Sequence, residues 1–263
     1  MVKEFRLYRH FLKIRFLSEI EYKGWWLMFF QVFLATFGDP LAVVLTFSRF
    51  GSIGAWTMER ILLMYAIAFT SFGLAETLLR GFDMFPYQMV RNGDFDRLLI
   101  RPKSLFVQVS ASFFHLRRGV RPLIGLVIIF WCINQLGIEL TSIDVIMLIF
   151  ALVGGFLIYA GVFVMSSGIA FFTINAVDWI YIFTSASREA ARVPIDYLPR
   201  VFRYMFTFFM PMLVISYFPA SAIGDWGDAA WRGWLALPAG AAFFVVAMLV
   251  WRIGIKHYKS TGS

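Results

Sequence analysis

The stretch Ile143–Ala170, IDVIMLIFALVGGFLIYAGVFVMSSGIA, decides the fold: beyond Asp144 it carries no charge to its end. About 20 consecutive apolar residues suffice for a helix to cross a hydrocarbon core. This run has that length and more, and its glycines Gly154, Gly155, Gly161 and Gly168 permit close helix approach.

Similar windows lie on both sides of it. Upstream, Gly137–Ser142 is a short far-side loop, preceded by a window over Val120–Leu136 whose Pro122 suits a first helical turn. The window Thr57–Leu79 comes before that, with Glu76 near its end at an interface. Trp25–Phe47 opens with Trp25 and Trp26 at headgroup depth. Downstream, Val201–Phe218 contains Pro211, and Gly233–Trp251 is the last window. The reading is an all-α polytopic membrane protein with six transmembrane helices. It is one transmembrane domain over 1–263, with an interfacial segment at 1–24, a cytoplasmic region at 80–121 and an extracytoplasmic loop at 219–232.

Composition fits that class. The chain is 60% apolar and only 15% charged, against about 25% charged in a soluble domain. Its formal charge of +8 falls between the hydrophobic windows, where cations orient a membrane protein. With the amino end inside, 21 basic residues face the cytoplasm, and Arg49, Arg60 and Arg232 remain outside. This places both termini in the cytoplasm. Cations split among four loops need no nucleic-acid partner.

The first segment, KEFRLYRHFLKIRFLSEIEYKG, is too charged for a signal peptide. It reads as an amphipathic interfacial helix over 3–20. Lys3, Arg6, Arg9, His10 and Lys13 face headgroups, and Phe5, Leu7, Tyr8, Phe11, Leu12, Ile14 and Phe16 face lipid or a partner subunit.

Few residues offer chemistry. The lone Cys132 excludes a disulfide framework. His10, His115 and His257 lack metal-ligand spacing, so no metal site is expected. No nucleophile elbow and no phosphate-binding loop ending in Lys-Ser/Thr occurs, so ATP hydrolysis is not expected here. Asp39, Glu76 and Asp178 are the acids nearest the windows; interfacial or capping roles are set against ion relay. Asp39–Pro40 marks a kink or gate, where the first span either bends or ends early and resumes as a short apical helix.

The most informative loop is Tyr87–Ser104. Asp94 and Asp96 lie among Arg91, Arg97, Arg101 and Lys103, Gly93 and Pro102 mark turns, and Phe95, Leu98, Leu99 and Ile100 are apolar. It reads either as a charged loop with local ion pairs or as a short docking helix that passes motion to a cytoplasmic partner. Phe202, Phe206, Phe208 and Phe209 are packing or lipid-contact residues by default, with ligand lining as the alternative.

The basic first helix, GDFDRLLIRPKS after the second span, VPIDYLPRVFRYMFTFFMPMLVISYFPA toward the fifth and the ending YKSTGS together resemble a branch of the type-two permeases of ATP-binding-cassette transporters. That resemblance spans the chain. It implies a cytoplasmic coupling helix between spans two and three, with Arg91, Gly93, Asp94, Phe95, Asp96, Leu98, Leu99, Arg101 and Pro102 in or beside it. Phe202, Phe206, Phe209 and Pro211 fall in a pathway or dimer interface. No cofactor belongs to this chain; ATP and Mg belong to a separate nucleotide-binding subunit. A second permease copy or a related permease completes the assembly in the bacterial inner membrane. The family likeness favours export, and the hydrophobic windows suit an amphiphilic cargo. The competing readings are an ion-coupled secondary transporter, with Asp39 as its candidate, and a lipid-modifying membrane enzyme built on Asp178, Arg188, Glu189, Arg192 and Asp196.

Overall fold

The computed structural model describes residues 2–21, 23–52, 54–90, 93–173, 185, 192–193, 195–209, 211–226 and 230–258. Helix α1 (Val2–Ile20) has no proline or glycine to break it. The Tyr8 hydroxyl donates to the Leu78 carbonyl at 2.8 Å, and Glu19 Oε2 accepts from the Leu116 amide at 2.6 Å, so α1 is tied to the bundle at two points about three turns apart. Tyr8, Phe11 and Leu12 turn inward, whereas Ile14, Phe16, Leu17 and Ile20 are exposed along with Arg9, His10 and Lys13.

Helix α2 (Trp25–Phe50) runs 26 residues and continues through Pro40 without a break. At 1.5 Å per residue this is about 39 Å, enough to span a bilayer. Trp26, Leu27, Phe30, Leu34, Phe37, Leu41 and Leu45 are exposed along it, a carbon surface suited to lipid.

Helix α3 (Met58–Phe85) is the buried centre. It kinks at Leu79, the one interior residue with non-helical backbone angles, and continues into a π turn at Pro86–Val90. The region 80–121 therefore opens as an extension of the second span. Two short helices follow, α4 (Phe95–Leu99) and α5 (Leu105–Ser112), then a 3-10 turn at Leu116–Gly119. Helix α6 (Val120–Gln135) packs antiparallel to α3. A Cβ at Gly73 would press on Pro122, and one at Gly125 on Thr70.

Helix α7 (Ser142–Ile169) begins with a capping box in which Thr141 and Asp144 satisfy each other's backbone amides. It is parallel to α3: Phe72 meets Tyr159 and Phe163 edge to face, and Ser167 Oγ donates to the Phe82 carbonyl at 2.5 Å.

The tightest seam joins α7 to the last helix. Gly154, Gly161 and Gly168 recur every seven residues, as do Gly240, Ala247 and Gly254 opposite them. A Cβ at Gly154 would enter the Ala236 carbonyl, and one at Gly254 the Gly168 carbonyl. Backbones approach this closely only where side chains are absent, which is how small residues drive packing in a membrane.

The carboxy-terminal third differs from the sequence reading. Helix α8 (Arg200–Tyr204) passes into a π turn at Met205–Phe209. After Pro211 come α9 (Met212–Ile215) and α10 (Tyr217–Ile223), with a bend of 69° between the two halves. Residues 219–232, expected as a loop, thus begin inside a helix. A 3-10 turn at Ala230–Leu235 leads into α11 (Ala236–His257).

Two ends of the bundle can be told apart by what gathers there. Phe85, Phe171, Trp251 and Tyr258 meet at one, the Phe95 end. At the other, the Trp56 end, the Trp56 indole donates to Asp196 at 3.0 Å and its ring lies 5.9 Å from Tyr217. The described chain is at the Phe95 end at Phe171 and at the Trp56 end by Arg192 and Asp196. Arg192, Arg200 and Arg203 were counted with the amino-terminal side; the structure sets Arg192 and Asp196 opposite, and Arg203 donates to the Asp196 carbonyl.

The chain is an all-α polytopic membrane protein. Trp25–Arg49, Met58–Val90, Ser142–Ile169 and Ala230–His257 are long and apolar enough to cross a bilayer, and the bent pair makes five if taken as one span. The 16 residues of α6 reach only about 24 Å, so the expected third window is a shorter helix.

Candidate functional site

Helix α4 is short, and its two faces have different tasks. Phe95 and Leu98, three residues apart, point the same way and are buried. Phe95 is fully enclosed: Phe85 lies at 5.2 Å between centroids, Phe171 at 5.2 Å and Tyr258 at 4.8 Å. Trp251 closes the group, 5.0 Å from Phe85 and 5.5 Å from Phe171. These rings come from the ends of α3, α7 and α11, so three long helices converge on one side chain of α4. Burying a phenylalanine contributes about 1.5–3 kcal/mol, and each edge-to-face pair about 0.5–1.5 more.

The loop around α4 is held in shape. Gly93 has φ 74°, a left-handed conformation that favours glycine. The Gln108 amide donates to the Lys103 carbonyl at 3.1 Å and to that of Leu98 at 3.4 Å, fastening the far side of the loop to α5. Asp96 faces Tyr258, whose phenol is pushed up by burial first and then by that carboxylate. Asp94 pairs with Arg97 at 3.1 Å, but both are solvated, so this pair adds about 0–1 kcal/mol.

The other face is open. Leu99, Ile100, Arg101, Pro102 and Lys103 are all exposed, Ile100 to 83%. The apolar run expected to dock as a unit is therefore divided: Phe95 and Leu98 bind this chain's own helices, while Leu99 and Ile100 present carbon outward beside two cations. Arg91 lies outside the described residues.

Farther along α3, toward its middle, is a charge cluster. Glu76, only 7% exposed, accepts from Arg80 at 3.2 Å, from Arg118 and from Arg121 at 2.7 Å; Arg80 also reaches Asp83 at 2.7 Å. Arg121 lies over the rings of Phe69 and Phe72 at 5.5 and 5.1 Å. Burial pulls the Arg118 guanidinium down; Glu76 opposes that shift, and Arg80, Arg117 and Arg121 add to it. Glu76 is thus the hub of a buried pair network tying the start of α6 to the middle of α3.

Near the Trp56 end, Arg192 reaches Asp39 at 3.3 Å and the Tyr65 hydroxyl at 3.3 Å, with its guanidinium 4.9 Å from the centre of the Tyr65 ring. Asp39, read as a kink or relay residue, is an ion-pair partner linking α2 to α3 through Arg192. Of the aromatic residues expected in a pathway, Phe206 is buried with Leu213, Phe202 is exposed and stacked on it at 6.4 Å, and Pro211 is buried at the bend. Phe209 ends the π turn, and its side chain lies outside the described residues, as do Asp178, Arg188 and Glu189. Among the described residues no three His, Cys, Asp or Glu side chains gather as a metal site.

Tyr258, Phe171, Phe85 and Gln108 were missed from the sequence as parts of this site. Only Tyr258 had a local signal, the end of α11 followed by a tyrosine in a polar tail. The arginines of the Glu76 cluster were read solely as topology charges.

Long apolar helices whose ends meet on a short amphipathic helix, with an exposed apolar and cationic face beyond it, define a polytopic membrane protein. A family profile described as ABC-2 family transporter protein matches residues 33–262, and the chain belongs to that family. Its membrane subunits are non-catalytic permeases, and so is this chain. No curated protein and no solved structure matches the chain.

Proposed function

We propose that this chain is the permease subunit of an ATP-binding-cassette exporter, driven by a separate nucleotide-binding subunit that docks on the Leu99–Lys103 face. The observation that carries this reading is the enclosure of Phe95 by the ends of α3, α7 and α11. Force applied at α4 is delivered to three helices at once. Carbon at Leu99 and Ile100 supplies a packed contact, and Arg97, Arg101 and Lys103 supply charge selectivity. ATP binding and hydrolysis with Mg take place on the partner, and the energy shifts the permease between accessibility states.

In this reading six segments cross the bacterial inner membrane, α6 among them, and both termini are cytoplasmic with the Phe95 end. The described chain is at the Trp56 end by Arg192 and Asp196, before α8 begins, which supports an outer position for the bent α8–α10 unit. A second permease, identical or related, completes the pathway. Phe202, Phe206, Phe209 and Pro211 are assigned to the dimer contact or the path, and the Asp39–Arg192 pair with Pro40 to its outer gate. A carbon-rich path suits a hydrophobic or amphiphilic cargo. The pairing of Asp39 with Arg192 favours a gate role for Asp39 over the relay that the secondary-transporter alternative needs.

Co-purification from the native membrane tests the proposal. A bound ATPase that is lost on Ile100→Asp, with the permease still inserted, is the expected result. Retention of that ATPase by the variant would overturn the docking face, and purification with no ATPase would overturn the transporter assignment.

A further inference from the structure

A cleft of about 730 Å³ opens between α1 and Phe114, lined by Arg9, His10, Leu12, Lys13, Phe16 and Phe114. We infer that it binds an anionic phospholipid, with the headgroup phosphate held by Arg9, His10 and Lys13. This rests on the chain spanning a bilayer and not on its having an ATPase partner.

Two kinds of lining fix the ligand chemistry. Arg9, His10 and Lys13 share one helical face and are exposed; among the described residues none is paired with a carboxylate. Glu19, in the last turn of α1, is occupied by the Leu116 amide and Arg117, so it does not neutralise the cleft. The remaining half is carbon: Leu12, Phe16 and the Phe114 ring. A free phosphate or sugar phosphate would gain only from the cations. A phospholipid gains from both halves.

Position agrees with chemistry. After Ile20 the chain passes through Gly24 into Trp25 and Trp26, the start of a spanning helix, which puts α1 at headgroup depth. The Tyr8 and Glu19 contacts hold α1 against the bundle, so the cleft is formed by fixed elements.

The test is native mass spectrometry of the full chain in detergent with phosphatidylglycerol, phosphatidylcholine or glycerol 3-phosphate. Phosphatidylglycerol should be retained over phosphatidylcholine at equal concentration, and equimolar glycerol 3-phosphate should not displace it. Arg9→Gln with Lys13→Gln should cut that retention by about tenfold or more, in line with the usual worth of a cation near an anionic lipid surface. If the double variant fails to fold, the single Arg9→Gln and Lys13→Gln variants must each show a loss of about threefold. Equal retention of the two lipids, or unchanged retention in the variants, would overturn the site. Displacement by glycerol 3-phosphate would make it a soluble-anion site and overturn the lipid.

Discussion

Phe95 and Tyr258, 163 positions apart in sequence, meet edge to face with ring centroids 4.8 Å apart and planes at 89°. The contact joins the short helix α4 to the end of the last long helix.

Truncating the phenylalanine at this junction should be costly. Phe95→Ala is expected to destabilise the fold by about 3–5 kcal/mol, the usual cost of emptying an aromatic site, with Phe95→Leu milder. Tyr258→Phe keeps the ring contact and removes only the phenol's interaction with Asp96, so it should cost less than Phe95→Ala. Thermal melts in detergent rank the variants; equal melting of Phe95→Ala and the parent chain would deny the junction its structural role.

Removing the charge of Glu76 should do comparable harm by another route. Glu76→Gln leaves three arginines around a neutral amide, and breaking a buried pair costs about 3–5 kcal/mol. Arg80→Gln should be gentler than Glu76→Gln, since Glu76 keeps Arg118 and Arg121, although the Arg80 pair with Asp83 is lost as well. A larger fall in melting temperature for Arg80→Gln than for Glu76→Gln would contradict this order.

The Tyr8 phenol supplies a pH test. Burial pushes its pKa from 10.0 up to about 12, so the fold favours its neutral form. A group whose folded value is raised contributes its full stability below about pH 10 and loses it as pH climbs through 12. Tyr8→Phe removes the hydrogen bond to Leu78, worth about 1 kcal/mol. The melting gap between the parent chain and Tyr8→Phe should narrow from pH 9 to pH 12, and a constant gap would refute the assignment.

Sidedness can be read by labelling. With Cys132, which is buried, first replaced by alanine, cysteines at positions 100 and 197 should react with an impermeant maleimide from opposite faces of sealed vesicles. Labelling of both from one face would contradict the placement of Tyr197 at the end opposite Ile100.

The small-residue seam should resist any enlargement. Gly161→Leu would drive a side chain into Phe243, and Gly168→Leu into the backbone at Trp251. Overpacking costs at least about 1–3 kcal/mol, more where backbone must move. Size-exclusion chromatography should show less folded protein for both variants than for Gly38→Ala, whose added methyl meets open space.

The long helices were legible in the sequence because the apolar runs near Trp25, Ile61, Ile143 and Ala236 carry almost no charge, Asp39 being the exception inside the first. The last third was not. Val201–Phe218 reads as one apolar run, but it is bent by 69° about Pro211, and a hydropathy sum does not register a bend. Hydropathy reports transfer energy and does not register direction of travel. Asp96 and Leu98 stood out by their charge and apolar pattern, but nothing local distinguished Phe95, turned inward, from Ile100, turned out. That division depends on Phe85, Phe171 and Tyr258 arriving from distant segments. The seven-residue recurrence of Gly240, Ala247 and Gly254 was present to be read, and only its pairing with Gly154, Gly161 and Gly168 needed the fold.

That seam has a mechanical consequence. Helices α7 and α11, interlocked along their length and bound to α3 through Phe72 and Phe82, form one closely packed block. Helix α2 shares far less surface with it and turns most of its carbon to the bilayer. A torque entering at α4 would therefore be resisted mainly by lipid along α2, so membrane thickness and fluidity would act as the spring of the machine.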